Sequence, residues 1–214
     1  MKKILNITNG DYFNSYFLEK FGGEAIPFRE NMMDGEAFPN IFSEEFICIR
    51  SKALGVSADE YRKNTPLLET DLESFDGVAL WFGKDTFCQM NLITLLAYLE
   101  EKEYKKEISL NYIDDETFEI IEKNIAVSLG CYKKLYEEIL ISKNKPSSNG
   151  VLVEKAVDLY FDYLSEDGAL ARLVRESREK SNTEILTLLL KSSAEYGLSD
   201  VQAQEIIKNN KQTL

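Results

Sequence analysis

A junction between an apolar run and a group of polar residues holds the best candidates for chemistry in this sequence. The apolar run of residues 78–82 ends at Gly83, and Asp85, Gln89 and Asn91 follow within one predicted helix. Asp85 and Gln89 lie four positions apart, so they share one face of that helix. In an open α/β sheet, ligands bind at junctions of this kind. The stretch therefore predicts either a wet ligand site or a polar network that fastens neighbouring loops.

A second strand end carries a similar polar group, Asn9-Gly10-Asp11. If the strands are parallel, their carboxyl ends lie on the same edge of the sheet, so we expect Asp11 and Asp85 near helix N-termini on one rim. An aspartate there can cap its helix, or it can hold a ribose hydroxyl, an amine or a magnesium ion. The sequence leaves these alternatives open.

Two arginines extend the candidate site. Arg29 follows a predicted strand, and Arg50 lies within an apolar helix. An arginine in such a helix either extends its charge to solvent or pairs with a carboxylate, for which Asp11 and Asp85 are candidates. A bound phosphate or carboxylate is the alternative partner, although salt bridges are the commoner arrangement. Glu30, next to Arg29, could act as a general base, but an exposed loop charge is the simpler interpretation.

The residue types that are absent exclude several mechanisms. The sequence contains no histidine, which excludes a Ser-His-Asp or Cys-His nucleophile, an imidazole base and a histidine zinc site. Acid–base chemistry would depend on carboxylates, lysines, tyrosines or a cysteine, and a metal would depend on oxygen ligands. No residue pattern assigns a metal, a cofactor or a catalytic residue. An enzyme that uses magnesium for hydrolysis or phosphoryl transfer stays one alternative.

Motifs and bulk charge narrow the range of partners. The phosphate-loop and dinucleotide-binding glycine motifs are both missing. The net charge of −12 opposes nonspecific adhesion to nucleic acid and to anionic membranes. No apolar stretch approaches the roughly 20 residues of a membrane span, and the N-terminus resembles a first strand more than a signal peptide. Three widely spaced cysteines are typical of reduced thiols in a cytoplasmic protein, with Cys88 expected to be a packed structural thiol.

Strands that alternate with helical stretches place the candidate residues on an α/β fold. The predicted strands are Ile4–Thr8, Glu24–Phe28, Phe75–Phe82 and Lys106–Ile113, and the helices between them are Tyr12–Phe21, Phe42–Leu54, Ser57–Asn64 and Asp85–Glu101. This order predicts βαβ units and a mostly parallel, three-layer sheet domain over residues 1–113. For residues 114–214 we predict an all-helical region with a linker near residues 143–150. Its predicted helices are Asp114–Ser128, Tyr132–Ile141, Val151–Leu164, Gly168–Arg178, Thr183–Tyr196 and Asp200–Asn209.

The end of the chain suggests a second class of function. The last two predicted helices are separated by residues 197–199, a spacing compatible with a helix-turn-helix. Lys208 is the only basic residue in the second of them, whereas phosphate contacts need more positive charge. We therefore expect plain helical packing and no nucleic acid partner. A regulatory or protein-interaction module, whose polar cluster is a structural salt-bridge network, stays an alternative, with a protein partner or a homo-oligomer.

Several of these motifs together resemble a bacterial family. They are Asn9-Gly10-Asp11, Pro27-Phe28-Arg29-Glu30, the helix around Arg50 and the block from Leu80 to Leu92, whose Trp-Phe, Asp, Phe, Gln and Asn spacing is the most specific part. On these residues, roughly the first half of the chain resembles the family known as domain of unknown function 1835. The resemblance implies an α/β domain with a polar pocket, and it supplies no substrate.

These patterns predict a polar pocket at the carboxyl edge of the sheet that binds a small anionic molecule, such as a nucleotide or another phosphorylated metabolite. The candidate ligand-binding residues are Asp11, Arg29, Arg50, Trp81, Asp85, Gln89 and Asn91.

Overall fold

Five strands form a single mixed sheet in the computed structural model, which describes residues 2–211 of the chain. The strands are β1 (Ile4–Asn9), β2 (Glu24–Phe28), β3 (Gly77–Phe82), β4 (Glu107–Ile113) and β5 (Ile120–Ala126). Their order across the sheet is β2-β1-β3-β4-β5. The first four strands run parallel, and β5 runs antiparallel to β4. The prediction of an α/β fold with a mostly parallel sheet is therefore confirmed.

The strand order reverses direction at β1. The chain passes from β1 to β2 on one side and then crosses back to β3 on the other side, where Leu80 pairs with Ile7. A reversal of this kind is a topological switch point, and it leaves a space between the carboxyl ends of the two central strands. We call the space between the ends of β1 and β3 the switch-point crevice.

Helices cover both faces of the sheet. The α-helices within residues 2–211 are α1 (Asp11–Lys20), α2 (Glu44–Ala53), α3 (Ala58–Lys63), α4 (Thr86–Glu101), α5 (Tyr132–Tyr136), α6 (Glu154–Leu164), α7 (Ala169–Glu176), α8 (Asn182–Ser192) and α9 (Asp200–Lys211). Phe13 and Phe17 of α1 pack with Trp81 on one face of the sheet, whereas α4 packs with Leu80 and Phe82 on the other. None of the helices within residues 2–211 has the length and apolar composition that crossing a bilayer requires.

Helix α4 is the centre of the main hydrophobic core. Nearly all of its side chains are buried, because the sheet lies on one side and α5 and α6 lie on the other. Its polar residues Gln89, Asn91 and Thr94 are therefore buried as well, and buried polar groups need hydrogen-bond partners. A smaller core joins α7, α8 and α9.

The C-terminal helices are tied to the loop that follows β2. In this loop the Asp34 carboxylate accepts a hydrogen bond from the Tyr163 hydroxyl of α6 at 2.6 Å. It accepts another from the Gln202 amide of α9 at 2.8 Å, from a residue 168 positions later in the chain. Helix α9 therefore packs against structure that is encoded near the start of the chain.

One predicted helix is wrong. Residues 114–128, predicted to be helical, instead form a turn and strand β5, which pairs with β4. The β-branched residues Ile120 and Ile125 favour an extended strand, and Asp114 starts the turn by accepting hydrogen bonds from two backbone amides. The region from residue 114 onward is therefore not all-helical, since the sheet continues to Ala126. The division into two domains stays a prediction, and its ends, Met1 and residues 212–214, lie outside the described residues.

Candidate functional site

Helix α1 begins directly at the carboxyl end of β1. Gly10 lies between the two with a φ of 83°, a conformation that favours glycine, and its amide donates to the Phe28 carbonyl at 3.1 Å. Because Gly10 is the N-cap residue and has no side chain, the first amides of α1 lack the usual side-chain acceptor. The amino end of α1 therefore presents backbone donors and a partial positive charge at the edge of the sheet.

Arg29 and Asp11 form an ion pair beside this helix end. The Arg29 Nε donates to the two Asp11 carboxylate oxygens at 2.8 and 2.9 Å, and Nη1 donates to the Asn64 carbonyl at 2.8 Å. The two side chains are 34% and 64% exposed, so solvent screens the pair and keeps it weak. A pair of this kind can open when a stronger anion approaches Arg29.

A cavity of about 330 Å³ opens beside this ion pair, at the carboxyl ends of β1 and β2. We call it the edge cavity. Its polar wall includes Asn9, Asp11, Arg29 and Asn64, and its apolar wall includes Phe28, Leu54, Val56 and Phe87. The cavity therefore offers both charged and apolar contacts to a small molecule.

Arg50 lies behind the edge cavity, where its charge is already paired. The side chain is 1% exposed, and its Nε lies 3.1 Å from the carboxylate of Glu30. The other guanidinium nitrogens donate to the carbonyl oxygens of Asn31 at 2.6 Å, Asp34 at 2.7 Å and Glu36 at 3.1 Å. Arg50 therefore holds the loop after β2 in place.

Glu30 is buried between Arg50 and Tyr61, and we call these three residues the buried arginine network. The Tyr61 hydroxyl donates to the Glu30 carboxylate, and burial, followed by the negative charge of Glu30, raises the pKa of Tyr61. The expectation that Glu30 is an exposed loop charge is wrong, since its side chain is 2% exposed. The expectation that Arg50 pairs with Asp11 or Asp85 is also wrong. The fold instead places the Glu30 carboxylate beside the Arg50 guanidinium.

Gln89 joins the end of β3 to the C-terminal half of the chain. Its side-chain amide donates to the Gly83 carbonyl at 2.7 Å, and its oxygen accepts from the Val153 amide at 3.0 Å. The side chain is fully buried. Gln89 therefore fastens two segments, as expected of a polar network.

Asn91 lies two residues further along α4 and makes hydrogen bonds on another side of the helix. It donates to the Asn9 amide oxygen at 2.9 Å and to the Glu30 carbonyl at 2.6 Å, and it accepts from the Met32 amide at 3.0 Å. Asn91 is also fully buried. It therefore connects the end of β1 with the loop after β2 beneath the edge cavity.

Trp81 lies on the opposite face of the sheet. Its indole nitrogen donates to Asn6 Oδ1 at 3.0 Å, and its ring packs against Phe13, Phe17 and Phe21. Side chains alternate between the two faces along a strand, so Trp81 points away from α4. The structure does not bring Trp81 to the edge cavity.

Asp85 caps helix α4 and meets a second carboxyl group. Its Oδ1 accepts from the Cys88 amide at 2.9 Å. Asp115, from the turn between β4 and β5, hydrogen bonds with Asp85 and lies 3.5 Å from Cys88 Sγ. One carboxylate oxygen of Asp85, one of Asp115 and the Cys88 Sγ all lie within 4.8 Å of one another. We call Asp85 and Asp115 the carboxyl pair.

Burial changes the acidity of this cluster. Residue 115 is exposed as a whole, but its carboxyl group faces inward, against Gly83. Burial of that group, followed by the hydrogen bond and charge of Asp85, raises the pKa of Asp115 to about 8. Burial also raises the pKa of Cys88 well above its ordinary value, and the Asn9 amide donates to its sulfur at 2.8 Å. Because a protonated thiol is a poor nucleophile, Cys88 is a packed structural thiol.

Nearby cations do not neutralise the carboxyl pair, because they are paired elsewhere. A second cavity, of about 430 Å³, borders Asp85 and Asp115 from outside and includes Lys84 and Lys155 in its wall. Lys84 pairs with Glu122, and Lys155 pairs with Glu195.

Two carboxyl groups and a thiol at this spacing are also ligands that metal ions use. Their hydrogen bonds to one another account for the spacing, and we assign no metal to them.

The structure thus separates the predicted ligand-binding residues into groups. Asp11 and Arg29 line the edge cavity, Arg50, Gln89 and Asn91 lie in the hydrogen-bond networks behind it, Asp85 belongs to the carboxyl pair, and Trp81 lies on the opposite face. The sequence interpretation missed Asp115, because its segment was predicted to be helical. It also missed Tyr61, Asn64 and Phe87, of which only Phe87 lies within the block that follows Gly83.

Comparisons of the chain with protein-family models, with curated proteins and with solved structures found no match. The resemblance to the family known as domain of unknown function 1835 therefore stays a prediction.

Proposed function

We propose that the edge cavity binds a small molecule with an anionic group, such as a nucleotide or another phosphorylated metabolite. The observation that carries the proposal is the position of the cavity. It lies at the carboxyl ends of β1 and β2, next to the point where the strand order reverses, with the amino end of α1 and Arg29 in its wall. Open α/β sheets bind their ligands outside the carboxyl ends of their strands, in the region where the strand order reverses.

The anionic group would lie at the amino end of α1. A side chain at Gly10 would meet nothing within 4 Å, so the backbone there is open to close approach by a ligand. Arg29 adds a planar guanidinium that can bind a phosphate or a carboxylate through two hydrogen bonds. Asp11 competes with such a ligand for Arg29, because the two side chains already form an ion pair. The negative charge of Asp11 should therefore weaken binding.

The rest of the ligand would contact the apolar wall of the edge cavity. This wall consists of Phe28, Leu54, Val56 and Phe87. The volume of about 330 Å³ lies at the lower end of the range of roughly 300–1,000 Å³ that is typical of small-molecule sites. A single ring with its phosphate suits this volume better than a dinucleotide does.

Thermal shift measurements with inorganic phosphate, mononucleotides and sugar phosphates test the proposal. We expect at least one of these compounds to raise the Tm of the wild-type chain. Removal of a hydrogen bond to a charged group costs about 1.5–3 kcal/mol, so Arg29→Ala should weaken binding by roughly 10- to 150-fold.

Arg62→Ala is the matched control for Arg29→Ala. Arg62 is 37% exposed and, like Arg29, forms surface ion pairs, here with Glu44 and Asp59. It is not a wall residue of the edge cavity. Its replacement should leave ligand affinity unchanged. The proposal is overturned if no compound stabilises the wild-type chain, or if both variants bind with equal affinity.

A regulatory or protein-interaction module is the second candidate. It is supported by the burial and internal hydrogen bonding of Arg50, Gln89 and Asn91, which lets the polar cluster serve as structure alone. In α9, Lys208 pairs with Glu205, and Lys211 donates to the Lys180 carbonyl. We therefore propose a protein partner or a second copy of the chain for this candidate, with nucleic acid excluded. A gel shift with duplex DNA at low salt would contradict it by showing retardation, and light scattering over a concentration series tests self-association.

We also propose a cytoplasmic location. The three cysteines Cys48, Cys88 and Cys131 are free thiols, and free thiols persist in reducing compartments. Cell fractionation tests this, and recovery of the chain from a membrane or secreted fraction would contradict it.

A further inference from the structure

Asn31, in the loop after β2, carries a buried acceptor atom that has no hydrogen-bond partner. The residue as a whole is partly exposed, but its Oδ1 is buried and accepts no hydrogen bond within residues 2–211. Buried polar atoms of native proteins are nearly always hydrogen bonded, so an exception needs an explanation. Asn31 is also a wall residue of the edge cavity. A hydrogen-bond donor on a bound molecule would supply the missing partner.

The Asn31 amide is held in one orientation by Asp34. Asn31 Nδ2 donates to Asp34 Oδ2 at 2.9 Å, and the same carboxylate accepts from Tyr163 and Gln202. If the amide were turned over, its oxygen would face a carboxylate oxygen with no hydrogen between them. Oδ1 therefore stays the unpaired atom of this amide, and position 31 offers an acceptor.

Asn31 lies between the edge cavity and a neighbouring cavity. The second cavity has a volume of about 410 Å³ and borders α9, and both Asn31 and Leu54 are wall residues of the two cavities. Leu54 follows α2 and is 37% exposed. Side chains at binding sites commonly change rotamer when a ligand binds. We therefore expect a movement of Leu54 to give a ligand in the edge cavity access to Asn31 Oδ1.

Arg29 and Asn31 offer opposite chemistry to one small molecule. Asn31 lies two residues after Arg29, so their Cα atoms are no more than about 7 Å apart, and both are wall residues of the edge cavity. The Arg29 guanidinium attracts an anion. The Asn31 oxygen repels an anion and attracts an N–H or O–H donor. A ligand that contacts both residues therefore has its anionic group at Arg29 and a donor at Asn31.

We propose that Asn31 is a specificity-determining residue of the edge cavity, which selects phosphorylated ring compounds that carry a hydrogen-bond donor on the ring. The inference rests on the proposed function and names the class of ligand that the same site takes. An amino group on the ring would satisfy the buried Asn31 oxygen, whereas a ring without a donor would leave this oxygen unpaired in the complex. The amino group of a cytosine base is a donor of this kind.

Calorimetry with phenyl phosphate and its amino and nitro derivatives tests the proposal. The ring of phenyl phosphate has no donor, an amino group adds one, and a nitro group adds acceptors alone. The meta and para isomers place the substituent at different distances from the phosphate. We expect at least one amino isomer to bind the wild-type chain roughly 2- to 12-fold more tightly than phenyl phosphate, as one net hydrogen bond requires. The nitro isomers should bind no more tightly than phenyl phosphate.

Asn31→Leu removes the acceptor and keeps a side chain of similar size. Asp34 loses one donor but keeps Tyr163 and Gln202, so we expect the variant to stay folded, and its Tm checks this. In Asn31→Leu the amino isomers and phenyl phosphate should bind with equal affinity. Asn64→Leu is the matched control, because Asn64 is another wall asparagine and contacts Arg29 through its backbone carbonyl. The preference for the amino isomer should persist in this control.

The possible results separate this inference from the proposed function. If all the phenyl phosphates bind the wild-type chain with equal affinity and Arg29→Ala weakens them all, the donor preference is refuted and the proposed function stands. A preference that persists in Asn31→Leu, or that Asn64→Leu abolishes equally, also refutes the role of Asn31. If neither these compounds nor any mononucleotide or sugar phosphate binds, the proposed function fails and the specificity role fails with it. The wild-type series decides even if Asn31→Leu does not fold, because it needs no variant at position 31.

Discussion

Replacement of Arg50 by methionine decides between a structural and a ligand-binding role for this residue. Arg50 and Glu30 are 1% and 2% exposed, so Arg50→Met would leave the Glu30 carboxylate buried without a counter-ion. Breaking a buried pair in this way costs about 3–5 kcal/mol. For a chain of this size, each kcal/mol corresponds to roughly 2–4 °C in Tm. We therefore expect the Tm to fall by roughly 6–20 °C.

Urea denaturation followed by circular dichroism measures this loss, and two controls interpret it. In the double variant Arg50→Met/Glu30→Gln no unpaired charge stays buried, so we expect it to be about 1–3 kcal/mol more stable than the single variant. Arg62→Ala, which breaks exposed ion pairs, should cost no more than about 1 kcal/mol.

Two results would refute this reasoning. One is a loss below about 1 kcal/mol for Arg50→Met, because the buried arginine network would then contribute little to stability. The other is a double variant that is no more stable than the single variant, because the cost would not come from the uncompensated Glu30 charge. Either result, together with weakened binding of a phosphorylated compound, would restore the interpretation of Arg50 as an anion-binding residue.

Three further predictions concern the residues around the edge cavity and the carboxyl pair. Asp115 has a pKa of about 8 in the folded chain against 3.8 for the free side chain, so the folded state retains the proton and the free energy of unfolding should fall as pH rises from about 4 to about 8. The slope of this free energy against pH should stay below ~1.4 kcal/mol per pH unit, because solvent reaches part of this residue. Asp115→Asn should remove the slope, and the same pH dependence of urea denaturation in both chains would contradict the prediction. Asp11→Asn should strengthen binding of any phosphorylated ligand a few-fold in calorimetry by releasing Arg29, whereas unchanged or weaker binding would show that Asp11 helps to hold the ligand. Asn91→Leu should lower the free energy of unfolding by about 1–3 kcal/mol in urea, because buried groups at Glu30 and Met32 lose their partner; a neutral result would mean that water replaces the amide.

Most of the sheet could be predicted from local sequence patterns. Strand β2 has the predicted bounds, Glu24–Phe28, and β1 and β4 differ from their predictions by one residue at one end. Short apolar runs bounded by glycine and polar residues encode such strands within the segment itself. The side-chain caps at Ser181 and Ser199 are also encoded locally, because their bonding partners lie three residues away.

The hairpin and the partners of Arg50 could not be predicted in the same way. Strand β5 depends on pairing with β4 after a turn set by Asp114, and its own sequence is mostly exposed and charged. Arg50 lies in a recognisably apolar helix, but the choice of Glu30 over Asp11 or Asp85 is made by tertiary packing. The face of the sheet on which Trp81 lies can be predicted from the sequence. Side chains alternate along β3, so Trp81 lies on the face opposite Leu80 and Phe82.

The link between Asp34 and Gln202 has a consequence for synthesis of the chain. A ribosome makes the loop after β2 early, yet the Asp34 carboxylate gains two of its hydrogen-bond donors, Tyr163 and Gln202, only when α6 and α9 have emerged. Contacts between residues so far apart in sequence form late, because closing a long loop costs entropy before the contact is gained. The loop that carries Asp34 should therefore reach its final rigidity only when translation is nearly finished.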